Sequence, residues 1–381
     1  MKILLTVAHH GIYTGGPHQL YFLAQGLTSQ GHEVVTAFKG DPKQKPDYSL
    51  DKLTELGVKI ELFRFAKLKH RYTWGELARF RKLLKEGQFD VVHCFKGTDF
   101  DFVIMAGWGI PIPALVITRG NGMPLDFFNS IKYRMKKVKC IMTVSEAVRQ
   151  TVIKTGHVNP GKVKVIYGGV DFDRFRPDID GKPIRAALGI PADAPVVGII
   201  GSIAFEPESA KGGYWFAQSA RKVLDVEPET RFVLVGDIDV EAFRPLGEKL
   251  GLMDRFTFTG FRTDIPELLA AMDLTVCSSI RGEGLTGTIR ESLAMRVPVI
   301  TTDVGGNREL VRDDETGYVV PAKDSSVMAE RILSLLRNPG RRREMGFAGR
   351  KLVEEIADNK KRVDTVLSLY KACMEGKAAV Q

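Results

Sequence analysis

Residues 276–310 read VCSSIRGEGLTGTIRESLAMRVPVITTDVGGNREL, and this stretch decides the fold. An apolar run at 274–277 enters a short Gly-rich loop, the loop opens a helical segment, and a second apolar run ends at Thr302, just before Gly305-Gly306. Strand, loop, helix and strand in that order is the unit of a parallel sheet. The first N–H groups of a helix lack internal partners and sit at its positive end, so the loop–helix junction is an anion site. Glu283 stands in the loop, and Glu291 stands eight residues later inside the helix. Two carboxylates beside a phosphate cradle would be a poor way to hold phosphate alone. They suit a ligand that also carries vicinal hydroxyls, which a carboxylate accepts in pairs. A ribose and a sugar joined by a diphosphate meets both demands.

Outward from this stretch the same pattern repeats. Strands are expected at 2–8, 33–38, 59–63, 90–94, 114–118, 139–144 and 164–167, and again at 196–201, 231–235, 256–259, 274–277, 297–302 and 317–320. Between the first two, Gly15-Gly16-Pro17 opens a helix with Pro at its first position, Leu20, Leu23 and Leu27 recur at helical spacing, and Gly31 closes it. Thr73-Trp74-Gly75-Glu76 reads as a capping box before a basic amphipathic helix. The stretch 178–193, rich in Pro, Gly and Asp, reads as an interdomain linker, and Lys-rich helices close the chain from about 325 to 374. The expected class is α/β, with two facing doubly wound sheets and ligands at the carboxyl ends of their strands, in the cleft between them. The domains are residues 1–170 and 171–381, with the last helix free to cross back to the first.

Composition fits that reading. The chain has 381 residues, 44% hydrophobic and 27% charged, enough for two sizeable cores. Its four cysteines are scattered, which argues for a reducing compartment and against structural zinc. Residues 1–8 hold only a short apolar run and read as a buried strand rather than a secretory signal. The apolar stretch 102–117 is too short to span a bilayer, which takes ~20 residues. Formal net charge is +9. Nine Lys/Arg against three acids lie in 59–86, and Lys132, Arg134, Lys136, Lys137 and Lys139 follow one another without an acid. These are solvated faces, or they attract anionic phosphate on a lipid leaflet, a lipid-linked acceptor or a nucleic acid.

Taken together, the motifs resemble those of the family 4 retaining glycosyltransferases of GT-B architecture, in the right order and over nearly the whole chain. The residues that carry the resemblance are Val144-Ser145-Glu146-Ala147-Val148, Val165 to Asp171 and Arg174-Phe175-Arg176-Pro177, which match the interdomain signature. The Gly198–Ile199–Ile200–Gly201 turn with Lys211-Gly212 resembles the first phosphate loop. Phe258-Thr259-Gly260-Phe261, Asp264, Leu268-Leu269 and Asp273 resemble the base-binding region, Glu283 with Glu291 the two-glutamate motif, and Gly305-Gly306 with Glu309 the segment after it.

The resemblance implies the following roles. Glu291 accepts from the donor ribose. Glu283 stabilises positive charge at the anomeric carbon of the transferred sugar. Backbone amides of Leu285, Thr286, Gly287 and Thr288 hold the diphosphate, and Lys211 neutralises it as it leaves. Gly15 and Gly16 approach it where no side chain fits. Phe261 and Arg262 fall in the donor-base region. Of the histidines near the Gly-rich loop, His18, in the first turn of its helix, is the best placed to touch acceptor or donor. The chain departs from the family pattern in three places. Ser202 follows Gly201 where the family has an arginine, which makes Arg281 or Arg119 the substitute cation. Glu283-Gly284-Leu285-Thr286-Gly287 displaces the second glycine by one. Arg119-Gly120-Asn121-Gly122 stands where many members carry a sugar-contacting histidine, making Arg119 and Asn121 the candidates.

The resemblance further implies retention of anomeric configuration, no cofactor beyond the nucleotide-diphosphate sugar itself, and no metal. The four Asp-x-Asp pairs (99/101, 171/173, 178/180 and 237/239) are scattered and receive no assignment. The expected partners are a nucleotide sugar, a glycan or glycolipid acceptor and an anionic membrane surface, at the cytoplasmic face; no nucleic acid is expected. A nucleotide-sugar epimerase of the same architecture is the alternative, and a basic nucleic-acid binder is a weaker one. A dinucleotide oxidoreductase fits poorly. Gly11-x-x-x-Gly15-Gly16 is not Gly-x-Gly-x-x-Gly, and no acid closes the second strand.

Overall fold

The computed structural model describes residues 1–13, 15–65 and 73–376. The chain forms two compact units, one of residues 1–169 plus the helix Asn359–Met374, the other Val170–Asp358. The first holds a seven-stranded sheet in the order β3-β2-β1-β4-β5-β6-β7. Its strands are β1 (Lys2–Val7), β2 (Glu33–Lys39), β3 (Lys59–Phe63), β4 (Val91–Cys94), β5 (Ala114–Arg119), β6 (Val138–Thr143) and β7 (Val163–Val165). The second holds a six-stranded sheet, β10-β9-β8-β11-β12-β13. These are β8 (Val196–Ile200), β9 (Arg231–Val235), β10 (Phe256–Phe258), β11 (Leu274–Cys277), β12 (Val299–Thr302) and β13 (Gly317–Val320). Every pairing is parallel. Strands covered by helices on both faces are apolar throughout, which is why runs such as Ile3-Leu4-Leu5 and Val91-Val92 are fully buried.

Each sheet has two apolar cores, one per face. In the first unit Leu20, Leu23 and Leu27 meet Val363, Val366 and Tyr370 of the C-terminal helix. Gly26 lets the helices Gly15–Ser29 and Asn359–Met374 approach closely, since a Cβ there would stand 2.5 Å from Val363. The helix Gly15–Ser29 begins at the glycine pair, so Pro17 is its third residue rather than its first.

The stretch 178–193 is not a linker. It lies inside the second unit, and it carries a short helix, Lys182–Ala187. From that helix Arg185 donates to the carbonyls of Ala271, Ala192 and Ala194 and pairs with Asp273 at 3.1 Å. Gly181 passes so close to Ala270 that a Cβ would stand 2.2 Å from its carbonyl oxygen. The Glu76 carboxylate accepts from the Arg64 backbone N–H and the Arg79 guanidinium, tying its helix to the end of β3. Part of the basic segment 59–86 lies outside the described residues. Among the described residues no helix is long and apolar enough to cross a membrane.

His93, at the carboxyl end of β4, is buried. Its Nδ1 lies 2.5 Å from the Tyr370 hydroxyl and its Nε2 2.7 Å from that of Thr118. Burial, helped by the Arg362 cation, pushes its pKa down to about 3. The ring is therefore neutral when folded, while an unfolded chain takes up the proton near pH 6.5. Stability from this group is complete above pH 6.5 and is lost as pH falls towards 3. Between pH 6.5 and 5 the loss is about 2 kcal/mol, at 1.36 kcal/mol per pH unit. His93→Gln should flatten the acid side of a Tm-against-pH curve, and a slope equal to that of the unsubstituted protein would refute this assignment.

Candidate active site

The strand order of the second unit reverses between β8 and β11, and loops leaving the carboxyl ends of strands at such a switch point converge. The loop after β8 ends in Lys211 and the helix Gly213–Leu224; the loop after β11 carries Glu283 and ends in the helix Gly287–Ala294. The two are stitched together. Ile280 N–H donates to the Ala210 carbonyl at 2.8 Å, and the Ser278 hydroxyl donates to the Lys211 carbonyl at 2.9 Å. Gly212 has φ 65°, and a Cβ there would fall 1.9 Å from the Ser278 carbonyl oxygen. Only glycine permits this contact.

Residues 72 positions apart thereby meet. Lys211 Nζ stands 2.6 Å from Glu283 Oε1, which also accepts from the Ser279 hydroxyl at 2.7 Å. The Thr286 hydroxyl lies 3.1 Å from Glu283 Oε2. Glu283 is only 12% exposed. Burial alone would raise its pKa, but the Lys211 ammonium and the hydrogen bonds from Lys211, Ser279 and Thr286 together hold it below the usual range. It is a carboxylate at neutral pH.

Asn307, which the sequence reading passed over, locks the loop from behind. It is fully buried. Its Oδ1 faces the Thr286 hydroxyl at 2.9 Å, and its Nδ2 donates to Thr301 Oγ1 at 3.1 Å. The glycines before it fit the same purpose. Gly305 has φ 62° and passes 2.1 Å, Cβ to oxygen, from the Glu283 carbonyl, and Gly306 N–H donates to the Gly284 carbonyl at 3.0 Å. An Asn after a glycine pair is the one sequence signal that could have marked this lock.

The helix Gly287–Ala294 has Thr286 at its N-cap, with no side-chain hydrogen bond to the first turn. Glu291, half-buried within it, accepts no hydrogen bond from another side chain among the described residues. Burial raises its pKa, against the pull of the neighbouring Arg290 and Arg174 cations. Leu285, Gly287 and Thr288 are half-buried around this helix start. At the ends of β8 and β9, Gly201 (φ 147°) and Gly236 (φ 134°) face each other, and a Cβ on Gly236 would stand 2.2 Å from the Gly201 carbonyl oxygen. Ser202 follows in solvent. Arg281 is exposed and stands 3.8 Å from Glu208, which Lys323 also holds at 2.6 Å. Phe261 is exposed, and Arg262 is engaged by Asp264, with Nε 2.7 Å from Oδ1.

The other candidates belong to the first unit. Gly15 and Gly16 are exposed at the start of their helix, with nothing within 4 Å of a Cβ at either. His18 lies against Phe22, ring centroids 4.5 Å apart. Arg119 places Nη1 3.5 Å from the Tyr133 hydroxyl and donates from Nη2 to the Met123 carbonyl. With Asn121, Asn129 and Lys132 it lines a cavity of about 210 Å³. The Asp-x-Asp pairs have local duties. Buried Asp99 accepts from Thr6 and from the backbone of Ala8, Phe95 and Lys96; Asp239 caps the helix Val240–Leu250; Asp171 accepts from the Asp173 and Arg174 amides.

Comparison with known proteins bears on the family and the fold. Residues 13–174 match the profile described as Glycosyltransferase Family 4, and residues 194–338 that described as Glycosyl transferases group 1. The UDP-Gal:alpha-D-GlcNAc-diphosphoundecaprenol alpha-1,3-galactosyltransferase of Escherichia coli is 26% identical over 73% of this chain and 76% of its own. The lipopolysaccharide core biosynthesis mannosyltransferase LpsB of Rhizobium meliloti is 33% identical over 44% of this chain and 48% of its own. Among solved structures, Anabaena HepE in complex with UDP superposes with a TM-score of 0.82 at 21% identity, covering 98% of this chain and 100% of that one. On its ordered motifs, its two switch-point sheets and these matches, the chain belongs to the family 4 glycosyltransferases and has the GT-B architecture.

Proposed function

We propose that this enzyme moves a hexosyl or related residue from a UDP-linked donor to a glycan or lipid-linked acceptor, in the synthesis of a surface polysaccharide or glycolipid. In this reading it works on the cytoplasmic side, peripherally at an anionic membrane, keeps the anomeric configuration and needs no metal. The observation that carries the proposal is the Lys211–Glu283 pair, 2.6 Å apart, beside an uncapped helix start at the switch point. Breaking the bond between the anomeric carbon and the diphosphate oxygen leaves positive charge on the sugar and negative charge on the phosphate. Lys211 and the amides at residues 285–288 stabilise the second, and the Glu283 carboxylate stabilises the first. Because Glu283 is held ionised, it acts as a charge and not as a proton donor. Front-face attack lets the departing phosphate oxygen take the acceptor hydroxyl proton, so no separate base is required. Glu291 accepts from the ribose hydroxyls. The UDP part of the reading is supported by the likeness to HepE, and the acceptor part by the names of the polysaccharide-building relatives.

A panel of nucleoside diphosphates in a thermal-shift assay tests the donor. UDP at a hundred times its Kd should stabilise by about 2.7 kcal/mol, and adenosine and guanosine diphosphates by much less. Proton NMR of the product should show the donor's anomeric configuration, with a rate that a chelator leaves unchanged. If no nucleoside diphosphate moves the Tm, the proposal fails. If the donor sugar is converted without any acceptor, the enzyme is an epimerase.

A further inference from the structure

The helix Phe127–Arg134 of the first unit is inside out. Its residues turned to the protein are Ser130 and Tyr133; those turned to solvent are Phe127, Phe128 and Ile131, with Phe128 81% and Phe127 67% exposed. A helix on a water-soluble surface carries the opposite arrangement, apolar inward and polar outward. The apolar residues are adjacent on one face, since i and i+4 lie together on a helix and the two phenylalanine rings are 5.6 Å apart. Met123, just before the helix, and Trp108 are exposed as well, Trp108 at 72%.

The surroundings are basic. The Arg134 guanidinium stands 5.7 Å from the Phe127 ring centroid, and Lys137 Nζ 5.8 Å from the Trp108 ring. Lys136 and Lys139 are exposed. The acids in this neighbourhood are already engaged: Asp126 accepts from Asn129 as the helix N-cap, and Asp101 is paired with Lys132. The face therefore offers aromatic rings at its centre and unspent positive charge at its edge. A short helix with phenylalanines outward and cations around it suits the headgroup layer of a bilayer, where rings sit at the interface and Lys/Arg reach anionic phosphates.

We infer that Phe127, Phe128 and Ile131, with Arg134 beside the Phe127 ring and exposed Lys136 two residues past the helix, are the face by which this enzyme docks on an anionic lipid surface. This rests on the membrane part of the function proposed above and names the element responsible. It also accounts for an apolar cluster that folding leaves in water.

Flotation with vesicles of phosphatidylcholine alone, or with anionic phosphatidylglycerol added, tests it on the full chain. The unsubstituted protein should float with the anionic vesicles and much less with the neutral ones. Phe127→Ser/Phe128→Ser should weaken the partition by roughly tenfold per phenylalanine, about 1.4 kcal/mol each. Its Tm and its UDP shift should be unchanged, because both side chains are exposed. Arg134→Glu/Lys136→Glu, which spares the rings, should lose the preference for anionic vesicles. The inference is overturned if the phenylalanine variant floats like the unsubstituted protein, if neither vesicle binds, or if both bind alike. It is also overturned if sedimentation shows a dimer that the same substitutions dissociate, for then the face meets a second copy. A missing UDP shift alongside intact flotation would instead count against the transferase reading and leave this face standing.

Discussion

Lys211→Ala is expected to lower kcat by roughly 10²–10³-fold, the usual cost of removing one preorganised group from a developing anion. Two losses add. The departing diphosphate loses its ammonium, and Glu283 loses the nearest opposing charge. Glu283 is buried, and Lys211 and its hydrogen bonds now offset that burial. Without Lys211 only the Ser279 and Thr286 hydroxyls remain, so its pKa rises. The acid limb of the residual kcat profile should therefore move to higher pH, which loss of the leaving-group cation alone would not cause. Lys211→Arg keeps the charge on a different fork and should recover part of the rate but not all of it. Glu283→Gln should also be slow, and adding it to Lys211→Ala should cost much less than the product of the single effects, because the pair acts as a unit. Turnover within threefold of normal in Lys211→Ala would sink the assignment.

This pair also measures how far the sequence could be read. The strands were legible, since a parallel strand is a continuous apolar run and a shift in burial would show at once; 59–63, 231–235 and 317–320 match β3, β9 and β13 end to end. The misreading at 178–193 came from treating Pro, Gly and Asp as a sign of looseness. There they serve turns that Arg185 pins to Asp273, a long-range contact that no local pattern carries. The helix Phe127–Arg134 shows the same limit from the other side. Its hydrophobic residues are visible in the sequence, but which face they occupy depends on where Tyr133 is buried. At the site, each glutamate and lysine could be named from the family resemblance. Their contact required the neighbouring strands β8 and β11, and Asn307 acts through a loop that only the fold brings near. Chemistry-bearing residues are local signals; the positioning of those residues is not.

Glu291→Ala should raise the Kd for UDP by about 10- to 100-fold, since hydrogen bonds to a charged acceptor are worth about 1.5–3 kcal/mol. The reason is the state of the carboxylate. It is half-buried, it receives no side-chain hydrogen bond among the described residues, and burial raises its pKa. Two ribose hydroxyls would supply the missing donors and favour the ionised form, so UDP affinity should increase with pH through that titration and become level above it. The informative comparison is among ligands. The unsubstituted enzyme should bind 2′-deoxy-UDP more weakly than UDP, and Glu291→Ala should bind the two alike. Inorganic pyrophosphate should bind both proteins equally, because the proposed function gives it only the amides at residues 285–288 and Lys211 as contacts. A modest drop in Tm is expected, as buried Arg290 loses a neighbouring carboxylate, and it does not alter the ligand ratios. If Glu291→Ala weakens pyrophosphate as much as UDP, the side chain only shapes the loop; if it weakens neither, the ribose is held elsewhere.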